Sequence, residues 1–127
     1  MRPNIKQANI NIELKNLFIK WLEITNSFHH LTKQETNVLG LLLYYHYKYK
    51  HDITNLSIVW KMVFDYETKK LIKDELNIKD SVLQNVLTKL RKQKIIVGNK
   101  IVNTFIPQLE LGSKNFVIIF NFNIIHG

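Results

Sequence analysis

Between residues 80 and 102 the hydrophobic period changes once, abruptly, and that change restricts the folds open to the chain more than any other feature. Val82, Leu83, Val86, Leu87 and Leu90 recur at helical spacing, and Ser81, Gln84, Asn85, Thr88, Arg91 and Lys92 fall on the opposite face. Two β-branched runs follow at once, Ile95-Ile96-Val97 and Lys100-Ile101-Val102, around Gly98-Asn99, two residues that both tolerate positive φ. A helix with one apolar stripe that runs straight into a tight hairpin must bury both elements on a shared core. The spacing predicts an α+β fold, mostly helical with a small antiparallel β-sheet.

Upstream, helical spacing recurs. Residues 5–14 alternate through Ala8, Ile10, Ile12 and Leu14, as a short strand or extended arm would. Leu14, Leu17, Phe18, Trp21 and Leu22 then mark an amphipathic helix to about residue 24, and residues 26–30 read as a loop. Thr32-Lys33-Gln34-Glu35 has the form of a capping box, so a helix is expected from 33 to about 50. Its apolar residues cover more than one face, which marks either the central core helix or a subunit interface. Shorter helices are expected at 56–64, after Asn55 or Thr54 as cap, and at 67–76, where Asn77 can take the left-handed stop. The helix at 80–92 should be capped by Asp80 or Ser81. Downstream, 116–122 reads as a strong final strand. No repeat, linker or low-complexity segment interrupts the chain. One domain over 1–127 is expected, with an N-terminal strand or arm and helix at 1–31 and a core at 32–127.

A chain of 127 residues buries roughly two-thirds of its unfolded surface and needs no covalent staple. It has no cysteine, which removes disulfides and thiol chemistry. The longest apolar stretch, 38–45, falls far short of the ~18 residues of a membrane span. Lys6, Gln7, Asn9 and Asn11 break up what would be the apolar part of a leader. The expectation is a cytoplasmic protein that makes no membrane contact.

The net charge is +8, but Ile, Lys and Asn are all abundant, as A/T-rich codon usage in a bacterial or viral genome would make them. Location is therefore more informative than total. Residues 69–100 hold nine Lys/Arg against three Asp/Glu, a net of +6, whereas residues 101–127 are neutral. Codon bias alone would have spread the excess evenly.

The order from 67 to 102 is helix, short turn, helix, strand, Gly-Asn turn, strand. It resembles the winged helix-turn-helix DNA-binding family, of the small kind found in bacteria and their phages. One departure is the long stretch 103–115 before the last apolar run, which leaves open which strand pair forms the wing. The resemblance implies that 80–92 is the recognition helix. Residue chemistry agrees: a major groove about 12 Å wide admits one helix. Gln84 and Asn85 can pair bidentately with adenine, Thr88 can touch a thymine methyl, and Arg91 can reach guanine or phosphate. Lys79, Ser81, Lys92 and Lys94 would hold phosphates, Lys100 would do so from the hairpin tip, and Lys69, Lys70 and Lys73 from the preceding helix. The expected partner is double-stranded DNA, and the expected role is transcriptional regulation.

Other readings stand beside this one. An outward polar face on a helix can be simply solvated, and winged helices also bind proteins. The alternative is thus a phage structural or assembly protein with a phage or host protein partner, located in the virion. Tyr44, Tyr45, Tyr47 and Tyr49, interleaved with lysines, suit core packing, a homodimer interface or base stacking. A homodimer is expected through this helix or through the N-terminal strand and helix. His29-His30 and the pair His46/His51 lack the spacing of metal ligands. The acidic residues are dispersed, and none of the usual nucleotide-cradle or nucleophile motifs occurs. A non-catalytic protein with neither cofactor nor metal is expected.

Overall fold

The structure, a computed structural model, describes residues 7–127. Six α-helices are present among the described residues: α1 (Leu14–Ile24), α2 (Asn26–His29), α3 (Lys33–Asp52), α4 (Leu56–Val63), α5 (Tyr66–Leu76) and α6 (Asp80–Lys92). A two-stranded antiparallel hairpin follows, β1 (Ile96–Val97) with β2 (Lys100–Ile101), in register Ile96 to Ile101 and Val97 to Lys100. A single 3-10 turn spans Asn103–Phe105. The molecule is mostly helical with a minor sheet, as the spacing predicts.

Helix α3 is the central element, with α1, α4, α5 and α6 all packed on it. That explains its apolar residues on every side: Val38, Leu39, Leu41, Leu42 and Leu43 are all buried against different neighbours. The Thr32 hydroxyl accepts from the Glu35 amide at 3.2 Å, and the Glu35 carboxylate accepts from the Thr32 amide at 2.9 Å. Glu35 is itself buried, and its second oxygen accepts from the Gln93 amide group at 3.3 Å. The capping box therefore also ties the start of α3 to the end of α6. Gly40 lets α1 cross closely: a Cβ there would lie 2.5 Å from Ile19 Cγ1 and 3.0 Å from Ile19 Cα. The close crossing offsets the ~1 kcal/mol that glycine costs inside a helix.

Side chains also set the other helix starts. Asn55 accepts from the amides of Ser57 and Ile58, and Asp65 accepts from the amide of Thr68 at 3.0 Å. The Thr68 hydroxyl bonds the Met62 carbonyl and pairs with the Tyr49 hydroxyl at 2.7 Å, which fixes α5 against α3. Helix α6 buries Leu83, Val86, Leu87 and Leu90, worth about 1.5–3 kcal/mol apiece.

Three local expectations are corrected. Residues 26–29 form the short helix α2 rather than a loop, because Asn26 accepts the amide of Leu31 and His30 takes a left-handed turn. The cap of α6 is Lys79, with no side-chain bond, because Asp80 is drawn across to Lys73 at 3.2 Å. Residues 116–122 form no strand with any of the described residues: Phe116 stands edge-on to Trp21 and Phe120 lies on Phe28 instead. Residues 7–13 form no strand among the described residues, which leaves the arm of the two readings offered for 5–14; residues 5 and 6 lie outside the described residues.

Candidate nucleic-acid interface

Because α6 buries one stripe on α3 and β1, its opposite side faces outward. Ser81, Asn85, Thr88 and Lys92 run along the middle of that side at steps of four, three and four, and all four are exposed. Gln84 and Arg91 lie on one flank, Gln84 half-buried and Arg91 exposed. The Thr88 hydroxyl donates to the Gln84 carbonyl at 2.9 Å. Its polar end is engaged within the helix, and its methyl is left as the outward group.

Both helices of the α5–α6 pair stop in the same way. At Asn77 (φ 52°) the amide of Ile78 reaches back to the Lys73 carbonyl, and the amide of Asn77 to that of Asp74. At Lys94 (φ 63°) the amide of Ile95 bonds the Leu90 carbonyl and the amide of Lys94 that of Arg91. Each is a six-to-one, five-to-two closure with a left-handed residue outside the helix and an apolar one after it. The first leaves three residues, Asn77 to Lys79, to turn α5 into α6. The second sends the chain directly into β1. Ile96 and Ile101 bury the inner face of the hairpin, and Gly98, with φ 61°, makes the tight turn. A shallow hollow results, lined by Arg91, Lys94, Ile96, Val97, Gly98 and Asn99. The end of the outward helix face and the hairpin tip thus share one concave surface.

The cations between residues 69 and 100 divide into paired and unpaired. Lys73, expected to grip phosphate, is instead paired with Asp80, and Glu75 is neutralised by Lys15 at 3.0 Å. The hydrogen bond to Glu75 raises the Lys15 pKa above its ordinary value. Among the described residues Lys69, Lys70, Lys79, Lys89, Arg91, Lys92, Lys94 and Lys100 form no ion pair within 4 Å. Of these only Lys69 is half-buried; the rest are exposed. Lys89 was missing from the sequence-based set. It flanks the outward face beside Asn85, four residues on at helical spacing, and it is exposed. The tip residue Asn99 also joins the surface through the hollow.

The tyrosines of α3 have other occupations. Tyr44 and Tyr47 pack on Phe18 of α1, with ring centroids 6.2 and 5.7 Å away. Tyr45 is buried, which raises its pKa. Tyr47 donates to the Glu110 carbonyl at 3.2 Å, and Tyr49 is bound to Thr68. All four rings contribute to the chain's own core. His46 stacks on Trp60 with centroids 4.1 Å apart, and its pKa is lowered to about 4 by burial, with Lys50 nearby adding to the effect. His29 pairs with the Thr25 hydroxyl at 2.9 Å and lies against Phe105; burial, and then His30 beside it, lower its pKa too.

Fold and surface together define a class: a mostly helical α+β chain whose last helix and hairpin present a concentrated cationic face. Comparison with protein-family models, with curated proteins and with solved structures finds no match to the chain. No helix among the described residues is long and apolar enough to cross a membrane.

Proposed function

We propose that this chain is a non-catalytic, winged-helix-like protein that binds duplex DNA by inserting α6 into the major groove. The observation that carries the reading is the shared surface of α6 and the hairpin. Asn85 and Thr88 stand outward among unpaired cations, with Arg91, Lys94 and the Gly98-Asn99 tip closing one end. A groove-reading helix needs short polar side chains at its centre and cations at its margins, and α6 has that order. Lys79, Lys89, Lys92, Lys94 and Lys100 supply phosphate contacts, and Lys70 adds one from α5. Asn85 is the principal base reader, because Gln84 is half-buried at the flank. Transcriptional regulation is the role such binding would serve.

The test is a titration of fluorescent random-sequence duplex at about 50 and 200 mM salt. Affinity should fall steeply with salt, and Lys92→Ala should weaken binding to all sequences while lowering the log–log slope by about one. Asn85→Ala should cost about 1–3 kcal/mol at a single base position of the preferred site. A chain that fails to retain duplex DNA at ~50 mM salt is not a DNA-binding protein. The assembly reading would then take its place.

A further inference from the structure

Glu35 does more than a capping box requires. The box needs one carboxylate oxygen, and that bond, to the Thr32 amide at 2.9 Å, is local. Glu35 is nevertheless only 4% exposed, and among the described residues it forms no ion pair within 4 Å. Burying a carboxylate without a cation is unfavourable unless hydrogen bonds replace its water. Its second oxygen takes that replacement from Gln93 Nε2, 3.3 Å away and 58 residues on.

Gln93 occupies the junction where α6 becomes the hairpin. It is the C-cap of α6, and its backbone amide bonds the Lys89 carbonyl at 3.0 Å. Two residues later the amide of Ile95 bonds the Leu90 carbonyl. The Ile95 carbonyl in turn accepts from the amide of Val102 at 3.0 Å, which closes the base of the hairpin. Strands β1 and β2 pair only two residues each, and a ladder that short is not stable alone. Its other support is the burial of Ile96 and Ile101, an apolar contact that has no direction. The Glu35 end, by contrast, is held firmly: beside Thr32, the amide of Leu31 donates to Asn26 Oδ1 at 2.8 Å.

We infer that the Glu35–Gln93 bond is a positioning joint that sets the angle at which the hairpin leaves α6. Through it the central helix presents the Gly98-Asn99 tip and the outward face of α6 to one ligand together. Glu35 is buried and acts only through Gln93, so it is a positioning residue and makes no contact of its own with a ligand. The consequence for DNA rests on the duplex-binding reading, whereas the joint itself does not.

Three variants of the full chain test it. Gln93→Leu keeps the bulk of an exposed side chain and removes the bond. Gln93→Glu sets a second carboxylate against the first. Gln93→Glu combined with Glu35→Gln exchanges the pair: the new carbonyl on α3 still accepts from the Thr32 amide, and its amide group donates to the new carboxylate. Amide exchange of the free chain, followed by NMR, should show Val102 protection falling about tenfold or more relative to Leu87 in both single variants. In the exchanged pair it should return to within about threefold of the wild type. In duplex titrations at about 50 and 200 mM salt, Gln93→Leu should lower the log–log slope by about two although it removes no charge, because Lys94 and Lys100 no longer reach phosphates in concert with α6. A loss of stability alone would change the fraction bound and leave the slope. Unchanged Val102 protection in both single variants would overturn the joint. So would a wild-type slope in a Gln93→Leu chain whose hairpin has loosened, since the joint would then position nothing. A wild-type chain that retains no duplex at ~50 mM salt fails the DNA reading instead, and the exchange ratio still decides the joint.

Discussion

His46 sits in the middle of the central helix, and its imidazole lies flat on Trp60, 6% exposed. Removing it from water makes the imidazolium costly, and the charge on Lys50 adds to that cost. The folded pKa of about 4 lies below the ~6.5 of an unfolded histidine, so the unfolded chain binds the extra proton between those values. The sign follows: the contribution of neutral His46 is fully present above pH 6.5 and is lost as pH falls toward 4. At about 1.4 kcal/mol per unit, the loss is on the order of 3 kcal/mol at most. Urea midpoints measured from pH 7.5 to 4.5 should fall over this range. In His46→Phe, which keeps the stack without the proton site, the fall should be smaller by that amount. An equal pH dependence in the two proteins would assign the acid sensitivity elsewhere, to His29 first.

Lys94 closes α6 in a left-handed conformation that costs a side-chain-bearing residue about 1–2 kcal/mol. The equivalent stop after α5 uses Asn77, a residue that accepts this conformation more readily. A lysine at the strained position, exposed beside Arg91 and the hairpin tip, suggests selection for its charge rather than for the turn. Lys94→Gly separates the two effects. It should raise stability by about 1 kcal/mol in chemical denaturation, because the strain is removed. In duplex titrations it should lower the salt slope by about one, because a phosphate contact is lost. A variant that is stabilised and binds unchanged would exclude Lys94 from the DNA contact.

The same element shows how much sequence spacing carries. The bounds of α1 and α6 were legible, since each combines a strict stripe with an abrupt change of residue type at both ends. The capping box at Thr32 was legible because both of its bonds are local. What escaped depends on distant partners. Asp80 has the chemistry of a cap, but Lys73, seven residues earlier, captures its carboxylate. Residues 116–122 have the composition and alternation of a strand, but a strand also needs a neighbour, and within one chain α1 and α2 offer only side chains to Phe116 and Phe120. The outward residues of α6 could be named from the wheel. Their meeting with the hairpin tip required the left-handed stop at Lys94, which a lysine does not announce.

At the scale of the whole molecule, the main electrostatic feature is the cluster of unpaired cations between residues 69 and 100. Eight cations without ion-pair partners on α5, α6 and the hairpin repel one another, a cost that folding brings together and unfolding disperses. Salt alone should therefore raise the thermal midpoint modestly between about 50 and 500 mM, by screening that repulsion. A polyanion that binds only the folded state does the same thing more strongly. Duplex DNA at a hundred times its dissociation constant adds about 2.7 kcal/mol, which for a chain of this size is a rise of roughly 10 °C. The two effects oppose each other in a diagnostic way. The increment due to DNA should be large at ~50 mM salt and nearly gone at ~500 mM, while the midpoint of the free protein moves upward over the same range. Scanning calorimetry of the chain with and without duplex at both salts reads all four values. If the DNA increment survives high salt undiminished, the contact is not made through phosphates, and the cationic face is a fold-level feature without a nucleic-acid role.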